Sequence, residues 1–171
     1  MCKAYIRDSI LVYYGSKLLE TQYIPLDNIF IEILKFIIGL NIADCIFWLT
    51  HFIQHKYFYN LHKEHHKIRN TCILFGNELG FIDLLLTSIP IILSTYFMNF
   101  STIVKYVFSL YFLINTILVH KIYSYGDKKI FCYHNYHHYN QKYNLSIGIF
   151  GTFGIFDHLF GTYKDVNEIN N

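Results

Sequence analysis

The sequence is poor in charge and in paired cysteines. Asp, Glu, Lys and Arg make up 15% of its 171 residues, against roughly 25% in an average soluble domain. The formal net charge of +2 provides little attraction for nucleic acid, so we expect no nucleic-acid partner. The four cysteines, Cys2, Cys45, Cys72 and Cys132, form no Cys-x-x-Cys pair. This scatter argues against a disulfide framework or a zinc ribbon and favours reduced thiols.

Two familiar metal-binding motifs are also missing. The sequence has no Glu-x-x-His, which is typical of carboxylate-bridged di-iron bundles. It has no His-Glu-x-x-His, the motif of helical zinc hydrolases. Glu64 stands directly before His65, in the wrong register for the general base of such a hydrolase. These absences disfavour a zinc-dependent hydrolase.

Histidine is what the sequence has instead. Three clusters read His-x-x-x-His at 51–55 and His-x-x-His-His at both 62–66 and 134–138. On an α-helix, positions i, i+3 and i+4 share one face, so each cluster presents its imidazoles together. Neutral imidazole is the commonest metal ligand in proteins. These eight imidazoles, or nine if His120 is included, suit two ions with four or five nitrogen ligands each. No cysteine lies in the three histidine motifs, which disfavours Cu(I) or structural zinc.

Three apolar stretches, at about 29–49, 81–98 and 103–119, approach the roughly 20 residues that a membrane-spanning helix needs. The last two are separated by residues 99–101 alone, which predicts a tight helical hairpin. A hairpin that crosses and returns brings all three histidine clusters to one side, together with His120 at the end of the third stretch. We therefore predict an all-α integral membrane bundle with a histidine-rich cap around a dinuclear metal site. A compact all-α soluble domain with apolar helices is the alternative.

Lysines near the histidine clusters place that cap on the cytosolic side. Residues 1–28 are predicted to be a leader, either an interfacial helix or a disordered segment, residues 29–165 the membrane domain, and residues 166–171 a polar tail. The glycine-rich segment 144–163 is expected to pack against the metal site and not to span the membrane.

Asp44 precedes His51 by two helical turns, on the same helical face as Trp48 and His55. A carboxylate there can hydrogen-bond a ligand imidazole and set its tautomer. A helix cap or an interfacial carboxylate is an equally good interpretation.

Four segments together resemble the fatty acid hydroxylase superfamily, which includes sterol desaturases, C4-methyl sterol oxidases and fatty acid hydroxylases. These are Asp44-Cys-Ile-Phe-Trp48-Leu-Thr-His51, the segment 55–66 that joins the first two histidine motifs, the motif at 134–138, and the ending Asp157-His-Leu-Phe160-Gly161-Thr162-Tyr163. The resemblance extends over about residues 44–164.

The resemblance implies a non-haem di-iron centre that uses O2 to hydroxylate or desaturate a lipid, a sterol or a fatty acyl chain, at the endoplasmic reticulum. Electrons would come from NAD(P)H through cytochrome b5 and a reductase, and zinc could replace iron in a purified form. No catalytic residue beyond the metal ligands is required. The expected ligands are His51, His55, His62, His65, His66, His120, His134, His137 and His138. Asp44, Asn144 and Asp157 are expected to orient these ligands without binding metal.

The sequence departs from the family pattern at several points. Many family members have His-Pro after the motif that corresponds to 62–66, whereas the comparable place here reads Gly80-Phe81-Ile82-Asp83. The usual Asn-Tyr-Gly after the third histidine motif is Asn144-Leu145-Ser146 in this chain. These departures and the short chain motivate a second hypothesis, a metal-binding membrane scaffold that has lost catalysis. His120 is not followed by a second histidine at Ser124, as in fatty acid 2-hydroxylases, which favours a sterol-type member.

Overall fold

The computed structural model describes residues 23–67, 81–119, 122–125, 128–131, 133–146 and 154–165. The predicted leader is therefore described only from residue 23, and the predicted tail and His120 lie outside the described residues. In chain order the elements are α1 (Ile29–Tyr57), α2 (Tyr59–His66), α3 (Phe81–Met98), α4 (Thr102–Val119), β1 (Ile122–Tyr125), β2 (Lys128–Phe131), α5 (Tyr133–Tyr139) and α6 (Ile155–Leu159).

Helices occupy all three apolar stretches, and the predicted helical architecture is confirmed. It is not purely α, because β1 and β2 pair as an antiparallel hairpin with Ile122 opposite Phe131. The first helix extends beyond the apolar stretch to Tyr57 and carries His51 and His55 on the same helix as Asp44 and Trp48, as the spacing predicted. Among the helices described here, none combines the length and the apolar character required to cross a membrane.

The hairpin between α3 and α4 is as tight as predicted. Asn99 takes a positive φ of 44°, which asparagine tolerates better than most residues. Ser101 then donates hydrogen bonds from its backbone N–H and its hydroxyl to the carboxylate of Glu32, both at 3.3 Å. Glu32 is buried and also pairs with Lys35 at 3.0 Å. Glu32 and Lys35, two of the three charged residues in the first apolar stretch, thus pair with each other, and Glu32 anchors the hairpin against α1.

The apolar core lies between α1 and the hairpin that α3 and α4 form. Its buried members are Leu40, Ala43, Phe47, Phe100, Phe108, Phe112 and Val119. Gly39 allows the closest approach, since a Cβ on it would lie 2.7 Å from Cζ of Phe100. This packing holds α1 against the hairpin and fixes the end of α1 that carries the histidines.

Candidate metal centre

Three short chain segments bring the histidine clusters together. The last turns of α1 carry His51 and His55, and the chain leaves helical geometry at Phe58 before α2 begins. This break lets α2 fold back so that its histidines face α1. Helix α5, which follows the β-hairpin, supplies the remaining three from the other side.

Eight of the nine predicted ligands converge, in two groups. Within each group the candidate ligand atoms lie within 4.8 Å of one another. We name them the first cluster, which is His51, His55, His62, His66 and His137, and the second cluster, which is His65, His134 and His138. All eight are buried except His55, which is partly exposed.

The spacing of the imidazole nitrogens in the first cluster suits a shared ion. His55 Nε2 lies 3.2 Å from Nε2 of His51, 3.1 Å from that of His66 and 2.9 Å from that of His137. The Nε2 atoms of His51 and His62 are 2.9 Å apart. Two nitrogens bound at right angles, each about 2.1 Å from one ion, are about 3.0 Å apart. The first cluster therefore has the spacing of neighbouring ligands on one ion.

Backbone carbonyls fix which nitrogen of three imidazoles points inward. Nδ1 of His51 lies 2.7 Å from the carbonyl of Leu145, and Nδ1 of His134 lies 3.1 Å from that of Ser146. Nδ1 of His137 lies 2.8 Å from the carbonyl of Tyr143. We call residues 143–146 the carbonyl loop. A carbonyl can only accept, so each Nδ1 carries the proton and each Nε2 keeps a lone pair.

Hydrogen bonds within the first cluster satisfy the Nε2 lone pairs of His51 and His137 only if two neighbouring imidazoles carry their protons on Nε2. His62 then donates to His51, and His55 donates to His137, both at 2.9 Å. A cation among the nitrogens satisfies all of these lone pairs, and a ring N–H donated outward to a carbonyl is the usual support of a metal-bound histidine. The residues present therefore fit a metal ion.

Burial and neighbouring imidazoles keep three histidines of the first cluster, His51, His55 and His137, neutral. Burial lowers the pKa of His51 and of His137 well below the usual range, and the neighbouring imidazoles lower both further. Burial, followed by the effect of His62, lowers the pKa of His55 to about 3. Only neutral imidazole binds metal, so these histidines are in the ligating form at neutral pH.

The carboxylate of Asp157 holds the carbonyl loop from behind. It is fully buried and accepts hydrogen bonds from the backbone N–H groups of Leu145, at 2.9 Å, and Ser146, at 2.8 Å. It also accepts one from the hydroxyl of Thr162. The indole N–H of Trp48 donates in turn to that hydroxyl at 3.1 Å, which links the arrangement to α1.

The other predicted supporting residues act less directly. Asn144, at φ 54°, exchanges hydrogen bonds with the backbone of Lys164, accepting at 2.9 Å and donating at 3.1 Å, and so fastens the carbonyl loop to the following segment. Asp44 is buried on α1. Nδ1 of His51, two turns further along the same helix, is held by the Leu145 carbonyl. His158, which no cluster includes, is exposed and stacks on Tyr163.

Two contributions to the site escaped the sequence reasoning. The carbonyls of the carbonyl loop are backbone groups, so the residue types in the sequence do not predict their role. Thr162 is a hydroxyl within a recognised motif, but its partners Trp48 and Asp157 are distant in the chain. The one signal that was available is Asn144, since asparagine favours the positive φ that turns the chain there.

The fold and the site define a helical protein with a buried centre whose ligands, among the described residues, are all histidines and can hold metal in two adjoining groups. A family model described as fatty acid hydroxylase matches residues 36–162, and the chain belongs to this family. The resemblance drawn from the motifs is thereby confirmed. Members of the family are generally O2-dependent, di-iron hydroxylases or desaturases. Neither the search of curated proteins nor that of solved structures found a match.

Proposed function

We propose that this protein is a membrane-associated, non-haem di-iron oxidoreductase that uses O2 to hydroxylate or desaturate a lipid, a sterol or a fatty acyl chain. The observation that carries the proposal is the convergence of eight imidazoles in two clusters, with three of them held by backbone carbonyls in the ligating tautomer. Family membership supports the same reaction class.

Iron suits the ligand set, because imidazole is a good ligand for iron and no thiolate lies in either cluster. Bound iron would supply the activation of O2. The first cluster would hold one ion and the second cluster the other. The oxidising chemistry would come from the metals, so no side chain is required as a nucleophile or as a general base.

The surrounding residues keep the centre dry and rigid. The ring of Phe47 packs edge-on against His51, with centroids 5.4 Å apart, and against His134, at 5.7 Å. Phe47 also belongs to the apolar core, so the core continues directly into the metal centre. Exclusion of bulk water protects a strong oxidant from unproductive side reactions.

The outer surface of the helices supports association with lipid. Large apolar side chains are exposed along α1, α3 and α4, among them Phe30 at 78% exposure, Phe97 at 61% and Val107 at 52%. Exposed apolar surface on this scale is typical of an interaction surface. We propose that these faces contact the endoplasmic reticulum membrane, with the histidine clusters on its cytosolic side.

Reduction of the centre requires an electron donor. We propose that cytochrome b5 and an NAD(P)H-dependent reductase serve this role. Exposed lysines lie near the clusters, including Lys56, Lys63 and Lys142, and they would attract an acidic protein surface.

Lipid profiling tests the function. Cells that express the wild type, His65→Ala or His158→Ala are compared for hydroxylated and desaturated sterols and acyl lipids. His65 belongs to the second cluster, whereas His158 is exposed and lies outside both clusters. We expect a product that is present with the wild type and His158→Ala and is lost with His65→Ala.

The iron content of the purified proteins separates the remaining outcomes. Identical lipid profiles together with iron in the wild type would reject the oxygenase and favour the scaffold hypothesis. Purified wild type that binds no metal would reject the metal centre itself.

A further inference from the structure

A single stretch of backbone stands between the carboxylate of Asp157 and both metal clusters. On one side, the N–H groups of Leu145 and Ser146 donate to Oδ1 and Oδ2 of Asp157. On the other side, the two carbonyls accept from His51, a member of the first cluster, and from His134, a member of the second. One carboxylate thus lies behind a ligand of each cluster.

We propose that Asp157 is a positioning residue that sets the tautomer and the direction of His51 and His134 together, and so couples the two metal clusters. It binds no metal itself. The inference depends on the proposed function only in that the clusters bind metal. It assigns no substrate and no reaction.

The contacts explain why an aspartate is required. Both carboxylate oxygens accept a backbone N–H, and Oδ1 also accepts the hydroxyl of Thr162. An ionised carboxylate only accepts hydrogen bonds, whereas an asparagine amide would present an NH2 group to one of these donors. One backbone N–H of the pair Leu145 and Ser146 would then lose its partner. The Ser146 N–H shares its peptide with the Leu145 carbonyl that supports His51, so the loss of that bond turns the support of His51 directly. The Leu145 N–H and the Ser146 carbonyl lie in the two flanking peptides, so the shift reaches His134 through the backbone of these two residues.

A second link aligns the carboxylate with α1. Trp48 donates to the Thr162 hydroxyl, and its ring stacks on Phe160 with centroids 4.3 Å apart. Trp48 lies one helical turn before His51. Helix α1 therefore carries the ligand His51 and, through Trp48 and Thr162, also contacts the carboxylate of Asp157 that orients this ligand.

Metal titration of the purified full-length protein in detergent tests the inference. Asp157→Asn is compared with Asp27→Asn, the same chemical change at an exposed aspartate far from the clusters. Co²⁺ is the probe, because its visible spectrum reports ligand number and geometry. Loss of an outer hydrogen-bonding partner typically costs 10- to 100-fold in metal affinity. We expect Asp157→Asn to weaken Co²⁺ binding at both clusters by roughly 10-fold or more, with an altered spectrum.

The thermal stability of the metal-free proteins distinguishes positioning from a merely structural role. A lower unfolding temperature without metal, combined with wild-type affinity and spectrum, would overturn the inference. An effect on one cluster only would also overturn the inference.

If Asp157→Asn does not fold, Thr162→Val serves instead, because it removes one donor to the carboxylate. The same spectral change is then expected in smaller degree. A wild type that binds no Co²⁺ would overturn the proposed function as well, whereas normal wild-type binding with an unaffected Asp157→Asn would overturn this inference alone.

Discussion

Nε2 of His55 lies 2.9 Å from Nε2 of His137, although 82 residues separate them in the chain. Nδ1 of His137 is held by the carbonyl of Tyr143, so its Nε2 lone pair is directed at His55. His55 makes similar contacts with His51 and His66. It is therefore the imidazole around which the first cluster is arranged.

The central place of His55 leads to the first prediction. His55→Ala removes a nitrogen that neighbours three other ligand nitrogens, so the first cluster should lose metal affinity by at least about 10-fold, the lower bound seen for residues that merely support a ligand. The measurement is iron content after dialysis against a weak chelator. His158→Ala is the matched control, since it also removes a histidine but from an exposed position. Equal iron in the two variants would contradict the assignment.

The second cluster gives a separate prediction. It comprises three described histidines against five in the first, so the loss of one leaves a poorer site. We expect His138→Ala to retain about half of the wild-type metal, because only the second ion should be lost. Elemental analysis of purified protein measures this. Retention of the full metal content, or loss of all of it, would show that the two clusters do not bind ions independently.

The third prediction concerns pH and the metal-free protein. The pKa of His55 is lowered to about 3, and those of His51 and His137 are lowered as well. In the unfolded chain these imidazoles titrate near 6.5, so below about pH 6.5 the unfolded state binds more protons than the folded state. The free energy of unfolding should therefore fall as the pH drops from about 7 towards about 4. Denaturant titrations across this range check the slope.

A matched variant isolates the contribution of His55. His55→Gln removes one titrating group, so its stability should depend less steeply on pH over the same range. A wild type whose stability is constant or rises on acidification would show that burial does not depress these pKa values.

The fourth prediction concerns the packing that positions α1. A Cβ on Gly39 would lie 2.7 Å from Cζ of Phe100, which is fully buried and cannot easily move away. Gly39→Ala should destabilise the fold by about 1–3 kcal/mol, the usual cost of overpacking. Thermal or denaturant unfolding gives the value. Phe100→Leu should lower the free energy of unfolding by less in the Gly39→Ala background than in the wild type. Additive effects of the two substitutions would mean that the two side chains do not collide.

Much of the helical framework was predictable. The apolar stretches at 81–98 and 103–119 correspond closely to α3 and α4, because long apolar runs have few other ways to satisfy their backbone. The apolar run at 29–49 ends before α1 does, and the helical spacing of Asp44, Trp48, His51 and His55 predicted that the helix continues through these histidines. The β-hairpin was missed, since the strands Ile122–Tyr125 and Lys128–Phe131 are too short to show a clear alternation.

The sequence by itself determined the ligand types and their local grouping, because helical periodicity places residues three and four apart on one face whatever surrounds them. Only the tertiary structure decided how the clusters combine: His137 joins four histidines of α1 and α2, whereas its neighbours His134 and His138 join His65. It also decided that backbone carbonyls, held by Asp157, orient the imidazoles. Such contacts join residues far apart in the chain and involve groups that every residue carries, so no local pattern reveals them.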